Sequence, residues 1–228
     1  HHSRSVRRRS GDQAKGRSGH EEGEGALIPW RIVLLASLGG TLEFYDFVVF
    51  GIFAKDIADT VFPSASPLAS LMASFAAFAA GYLARPVGGL VLSHYGDRYG
   101  RRAVFLWSVF IMSGASLGMG LVPSFASIGL AASVLMVVLR IVQGLCLGGE
   151  LPGALTYVVE TAPRAATLVC ALVFSCVTLG VAAATGVSVA VRTLLDPALI
   201  PVYGWRLAFV IGGLGGVLSF VLRRSLEE

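Results

Sequence analysis

The residues best placed to do chemistry in this chain are charged side chains set inside apolar runs. The segment 41–47, TLEFYDF, carries Glu43 and Asp46. The segment 140–150, RIVQGLCLGGE, carries Arg140, Gln143 and Glu150. A charge at the centre of a bilayer costs about 2.5 kcal/mol or more, so an ionisable residue there implies a pathway for solutes or protons. At 1.5 Å per residue, Glu43 lies about 18 Å into its run and Asp46 one turn deeper, while Arg140 lies about 18 Å from the opposite face. The i, i+3 spacing of Glu43 and Asp46 places both carboxylates on neighbouring parts of one helix face. A carboxylate in a partly dry cavity can load and release a proton near neutral pH. An arginine stays charged and can hold an anion through two parallel hydrogen bonds. Glu43 and Asp46 are therefore the proton-coupling candidates, and the spacing does not choose between them. Arg140, Gln143 and Tyr45 are the substrate-binding candidates. The competing reading is an Arg–carboxylate pair that only fixes helix packing.

The elements that must position these groups are membrane helices. Of 228 residues, 55% are hydrophobic and 14% charged, against about 25% charged in soluble domains, and mean hydropathy is +0.74. Six apolar runs, near 31–53, 68–92, 103–122, 128–158, 167–191 and 205–222, are each long enough for a hydrocarbon core of about 30 Å. They are continuous rather than alternating, which excludes barrel strands. The expected fold is an all-α membrane protein with six transmembrane helices over 30–228, preceded by a disordered basic cytoplasmic tail over 1–29. Arginines gather on one side, at Arg31, Arg98, Arg101, Arg102, Arg164, Arg223 and Arg224. That bias predicts both termini in the cytoplasm. The net charge of +4 sits largely in the tail and short loops, so no nucleic-acid partner is expected.

Other polar residues have plainer readings. Arg85, before Pro86, suits snorkelling to the interface as well as a functional role. Phe75, Phe78 and Tyr82 share helical spacing and are expected to pack. Ser175, Thr178 and Thr185 suit a cavity wall or ordinary helix contacts. Cys146, Cys170 and Cys176 lie inside apolar runs without CxxC spacing, and no histidine has ligand spacing. No metal and no cofactor is expected. Without a nucleophile–base constellation or a nucleotide loop, the chain does not read as an enzyme.

Between the second and third runs the chain reads SHYGDRYGRR over 93–102. Gly96 and Gly100 permit tight turning, and Asp97 among Arg98, Arg101 and Arg102 suggests a charged latch. This segment resembles the G-x-x-x-D-R-x-G-R-R signature of the major facilitator superfamily, with Ser93 in place of the first glycine. The segments TLEFYDF, ARPVGG at 84–89, RIVQGLCLGGE and GWR at 204–206 resemble its metabolite:proton symporter branch. The resemblance covers 30–228. It implies half of a major facilitator fold, built as two inverted three-helix repeats, in which the helices bearing Glu43 and Arg140 correspond. It implies a gating role for Asp97, Arg98, Gly100, Arg101 and Arg102, with Arg85 and Glu150 as further site candidates. Such transporters have twelve helices, so this chain is expected to be an N-terminal half lacking a C-terminal half-domain as partner. The expected function is proton-coupled symport of a small organic acid or zwitterionic metabolite across the bacterial inner membrane. The rivals are a drug or metabolite exporter of the same superfamily and a non-transporting membrane scaffold. The glycine pattern of drug–proton antiporters is not evident around Gly180–Gly186, which favours symport.

Overall fold

The computed structural model describes residues 30–148 and 166–227, and the secondary structure among them is helical. We number the α-helices α1 (Trp30–Ile52), α2 (Ala54–Val61), α3 (Pro67–Tyr99), α4 (Arg101–Leu121), α5 (Phe125–Ile128), α6 (Leu130–Leu147), α7 (Ala166–Leu194) and α8 (Trp205–Glu227). A π-helical turn, Ile200–Gly204, leads into α8. The expected tail over 1–29 and the C-terminal part of the fourth run, including Glu150, lie outside the described residues. So do the side chains of Arg101 and Arg102.

Four of these helices are long and apolar enough to cross a membrane, and a fifth span forms if the bent pair α1–α2 counts as one. The apolar part of α4, Leu106–Leu121, is shorter than such a span. The sequence reading gave the first apolar run no continuation. In the structure α2 follows α1 at an angle of 66°. It buries Ala54, Ile57, Ala58 and Val61 along one side, the i, i+3, i+4 stripe of an amphipathic helix. Ser133 of α6 donates to the Val61 carbonyl at 2.6 Å, satisfying one of the acceptors a helix C-terminus leaves over.

The segment expected to be a loop between the second and third runs is largely helix. α3 continues through Asp97 and Arg98 to Tyr99, with Gly96 buried inside it. The reversal is confined to Gly100 at φ +95°, a conformation that needs glycine. A helix already satisfies its own backbone hydrogen bonds, so the polar end of α3 continues without unwinding.

α1 packs along α7, α3 along α6, and α4 along α8, with further contacts of α4 to α6 and α1 to α8. The α3–α6 seam is close because of glycine. A Cβ at Gly144 would stand 1.9 Å from the Gly81 carbonyl oxygen, and one at Gly148 the same distance from that of Arg85. Small residues let backbones touch in this way, and here the contact brings the bases of Arg85 and Arg140 to one place. The buried core is aromatic at its centre, with Phe50, Phe53, Trp205 and Phe209 packed around Met119 and Met136. Leu83, Leu90, Leu121 and Leu194 are among the large apolar residues left exposed, as a lipid-facing surface requires.

Candidate functional site

The polar residues of α1, α3 and α6 converge on one small, partly open cavity. Glu43, Asp46, Phe47, Phe78, Tyr82, Arg85, Arg140 and Gln143 supply its principal side chains, with Gly81, Gly144 and Leu147 completing the wall. Two carboxylates and two guanidiniums thus share one site, and their formal charges cancel.

The sequence left open which acid meets which base. Glu43 Oε1 accepts from Arg85 Nη1 across the α1–α3 contact. Arg85 therefore does not snorkel. Its guanidinium also lies 4.7 Å from the centre of the Tyr82 ring, a cation–π contact. Glu43 and the Tyr82 ring hold the guanidinium at the cavity.

Asp46 and Arg140 are joined through an amide. Arg140 Nη1 donates to Gln143 Oε1 at 2.7 Å. Gln143 Nε2 donates to Asp46 Oδ2 at 2.6 Å and to Ser116 Oγ at 3.0 Å. Ser116 Oγ in turn donates to Asp46 Oδ2. The amide orientation follows from chemistry. A guanidinium only donates and a carboxylate only accepts, so the carbonyl end must face Arg140 and the NH₂ end Asp46. All four residues are buried, Asp46 at 4% and Arg140 at 5% exposure.

The Arg140 guanidinium is walled by aromatic rings, with Phe50 at 4.0 Å, Phe209 at 5.3 Å and Phe78 at 5.9 Å from ring centre to Cζ. Its Nε and Nη2 are buried and have no hydrogen-bond partner among the described residues. These two nitrogens form one edge of the planar group, the edge that meets a carboxylate bidentately.

Other candidates fall elsewhere. Tyr45 is not on the cavity wall; its hydroxyl donates to the Ala208 carbonyl of α8 at 2.8 Å, and the ring belongs to the core. Adjacent residues of a helix point about 100° apart, so Tyr45 cannot share the face of both Asp46 and Glu43. Phe78 and Tyr82 line the cavity rather than only packing, whereas Phe75 is exposed. Ser175, Thr178 and Thr185 are exposed on α7, each donating to the carbonyl four residues earlier. Asp97 and Arg98 occupy the last turn of α3, with Arg98 beside the Tyr99 ring at 5.8 Å. The residues that sequence reasoning missed are Ser116, Phe47, Phe50 and Phe209. Ser116 sits in a glycine- and serine-rich helix beside Ser108 and Ser113, which are equally buried. Ser113 donates to the Val109 carbonyl of its own helix instead, so residue type did not distinguish them.

The profile of the family described as "Sugar (and other) transporter" matches residues 32–228. Among curated proteins, the citrate-proton symporter of Klebsiella pneumoniae is 38% identical over 197 residues, covering 86% of this chain and 44% of its own length. The proline/betaine transporter of Escherichia coli (strain K12) is 34% identical over 200 residues, 87% of this chain and 40% of its own. This chain thus spans less than half the length of these relatives. Among solved structures, the proton:xylose symporter XylE bound to 6-bromo-6-deoxy-D-glucose superposes with TM-score 0.76 at 18% identity, over 88% of this chain and 45% of that one. A partially occluded inward-open form of XylE from E. coli gives 0.75 at 20% identity, over 87% and 50%. Both show the fold alone. The apolar helices, the buried ion network and these likenesses agree: this chain is a multi-pass membrane protein belonging to the sugar (and other) transporter family of the major facilitator superfamily, a family of transporters and not of enzymes.

Proposed function

We propose that this chain is the N-terminal half of a proton-coupled symporter for a small organic acid or zwitterionic metabolite, working in the bacterial inner membrane with both termini cytoplasmic. It would cross six times, as two inverted three-helix repeats. Support for the repeats comes from the packing. Exchanging α1 with α6, α3 with α7 and α4 with α8 turns the α1–α7 contact into α6–α3 and the α4–α6 contact into α8–α1, all of which occur. The pattern closes on itself, as a pseudo-two-fold axis requires. The missing partner is a C-terminal half-domain, against which this half would rock. In this reading Asp97, Arg98, Gly100, Arg101 and Arg102 gate that motion from the end of α3.

The observation that carries the reading is the buried chain Asp46–Gln143–Arg140 on a shared cavity wall. While Asp46 is ionised it balances Arg140. A proton on Asp46 leaves the guanidinium uncompensated in a poorly hydrated site, where an unpaired charge is costly. A substrate carboxylate on the Nε/Nη2 edge restores neutrality. Proton and anion then favour each other's binding, and linkage makes the preference reciprocal. Asp46 is the better proton site, since Glu43 is engaged directly by Arg85. Citrate and proline/betaine, the solutes in the relatives' names, all carry a carboxylate that this edge could hold.

The test is uptake of radiolabelled citrate, proline and glycine betaine by the full-length protein, with and without a protonophore. Accumulation of at least one solute is expected to collapse when the proton gradient is dissipated. Accumulation indifferent to the gradient would sink the symport reading, and efflux without uptake would favour the exporter.

A further inference from the structure

Among the described residues the two ends of the proposed coupling do not touch each other through a hydrogen bond; every such link between them runs through Gln143, and Gln143 is held from the side by Ser116. Resting on the symport reading above, we propose that Gln143, clamped by Ser116, is the element that transmits the charge state of Asp46 to Arg140, so that both are positioning residues and neither is a substrate ligand. Three observations carry this. First, the hydrogens of the Gln143 amide are spent internally: its oxygen receives Arg140, and its nitrogen serves both Asp46 and Ser116. An amide nitrogen has two hydrogens, so no donor is left for a solute. Second, the Asp46 oxygens are unequal. Oδ2 accepts from both Ser116 and Gln143, while Oδ1 has no partner among the described residues. The proton therefore goes to Oδ1, and Oδ2 keeps its donors. Third, a hydrogen bond to an ionised acceptor is roughly twice as strong as one to a neutral acceptor. Protonation at Oδ1 weakens the grip of Oδ2 on the amide, and a loosened amide also loosens its hold on Arg140 Nη1. The guanidinium is then both uncompensated and free to meet a substrate carboxylate.

The groups facing Asp46 leave few competitors for this role. Its own helix offers Glu43, paired with Arg85 of α3, and Tyr45, bonded to Ala208. α6 offers Arg140 itself. α4 offers the uncharged Ser116, and α8 approaches with Gly212, where a Cβ would stand 2.7 Å from Oδ1. A charge change at Asp46 has the amide as its hydrogen-bonded route to Arg140.

The experiment uses the full-length protein in proteoliposomes, with citrate, proline and glycine betaine as probes. Counterflow is measured at equal internal and external pH, over a range of pH values. For the wild type, the half-saturation concentration is expected to fall as pH falls. In Gln143→Leu that dependence should flatten, and proton-driven accumulation should drop roughly tenfold, the worth of one charge-assisted hydrogen bond. Ser116→Ala should displace the pH profile, and Ser116→Thr, which keeps the hydroxyl, should restore it. Ser116→Ala removes only one oxygen from a helix that favours alanine, so it carries the test by itself if Gln143→Leu fails to reach the membrane. A half-saturation concentration raised equally at every pH in Gln143→Leu, or an unmoved profile in Ser116→Ala, would overturn the relay and leave symport standing. A wild type with neither pH dependence nor sensitivity to a protonophore would overturn both.

Discussion

Arg85 and Arg140 line one cavity from neighbouring helices and are held in opposite ways. Arg85, on α3, is 23% exposed and meets Glu43 directly. Arg140, on α6, is 5% exposed and meets Asp46 only through an amide. The direct pair sets one guanidinium nitrogen straight on its carboxylate, although Arg85 Nε is itself buried without a hydrogen-bond partner among the described residues. An indirect pair leaves one edge of the guanidinium without a hydrogen bond from the described residues, and its carboxylate can be neutralised without anything between the two charges needing to leave. On the proposed function, the first arginine closes the structure and the second carries the exchangeable chemistry. The difference also explains why the more buried cation, which is the more expensive one to hold, is the one walled by three phenylalanine rings. Ring faces soften a desolvated cation without competing for its hydrogen-bonding edge.

That contrast can be broken most sharply at Arg140. Arg140→Lys keeps the charge but loses the planar fork, and is expected to weaken apparent affinity for a carboxylate probe by roughly 10- to 100-fold in counterflow. Equal affinity would mean that the site needs only a point charge. Arg85→Ala should act on stability instead, since it leaves Glu43 buried without its guanidinium. The loss is expected near 2–5 kcal/mol, read by thermal unfolding of the purified full-length protein. The double variant Glu43→Gln/Arg85→Gln should recover most of it, because removing both charges removes the desolvation penalty as well. If Arg85→Ala instead altered the pH dependence of transport with stability intact, the two arginines would have to exchange roles. The smallest effect belongs to Tyr45→Phe. It deletes one hydrogen bond to the Ala208 carbonyl, worth about 1 kcal/mol, and is expected to lower thermal stability slightly without moving the half-saturation concentration for any probe. A change in substrate preference would return Tyr45 to the site.

Much of this site was legible in the residues. Glu43, Asp46, Arg140 and Gln143 stand out because ionisable and amide groups are rare in runs this apolar, and helical spacing alone puts the two carboxylates on one side of α1. Arg85 was visible but ambiguous, since a run boundary judged by hydropathy placed it near the interface. Ser116 was not visible at all. A serine among serines and glycines reads as close packing, and only its neighbour across the α4–α1 contact makes it different from Ser113.

The sequence by itself determined that this is a membrane protein of helices with ionisable groups of both signs near its centre. Apolar run length must match the bilayer, and each helix satisfies its own backbone, so those features need no knowledge of neighbours. Only the tertiary structure decided which acid met which base. Periodicity states which residues share a face, but not which other helix that face opposes. Here the answer came from the α3–α6 glycine seam, where Gly144 lies against Gly81 and Gly148 against Arg85. It drew Arg85 in beside Glu43 and left Arg140 to reach Asp46 through Gln143.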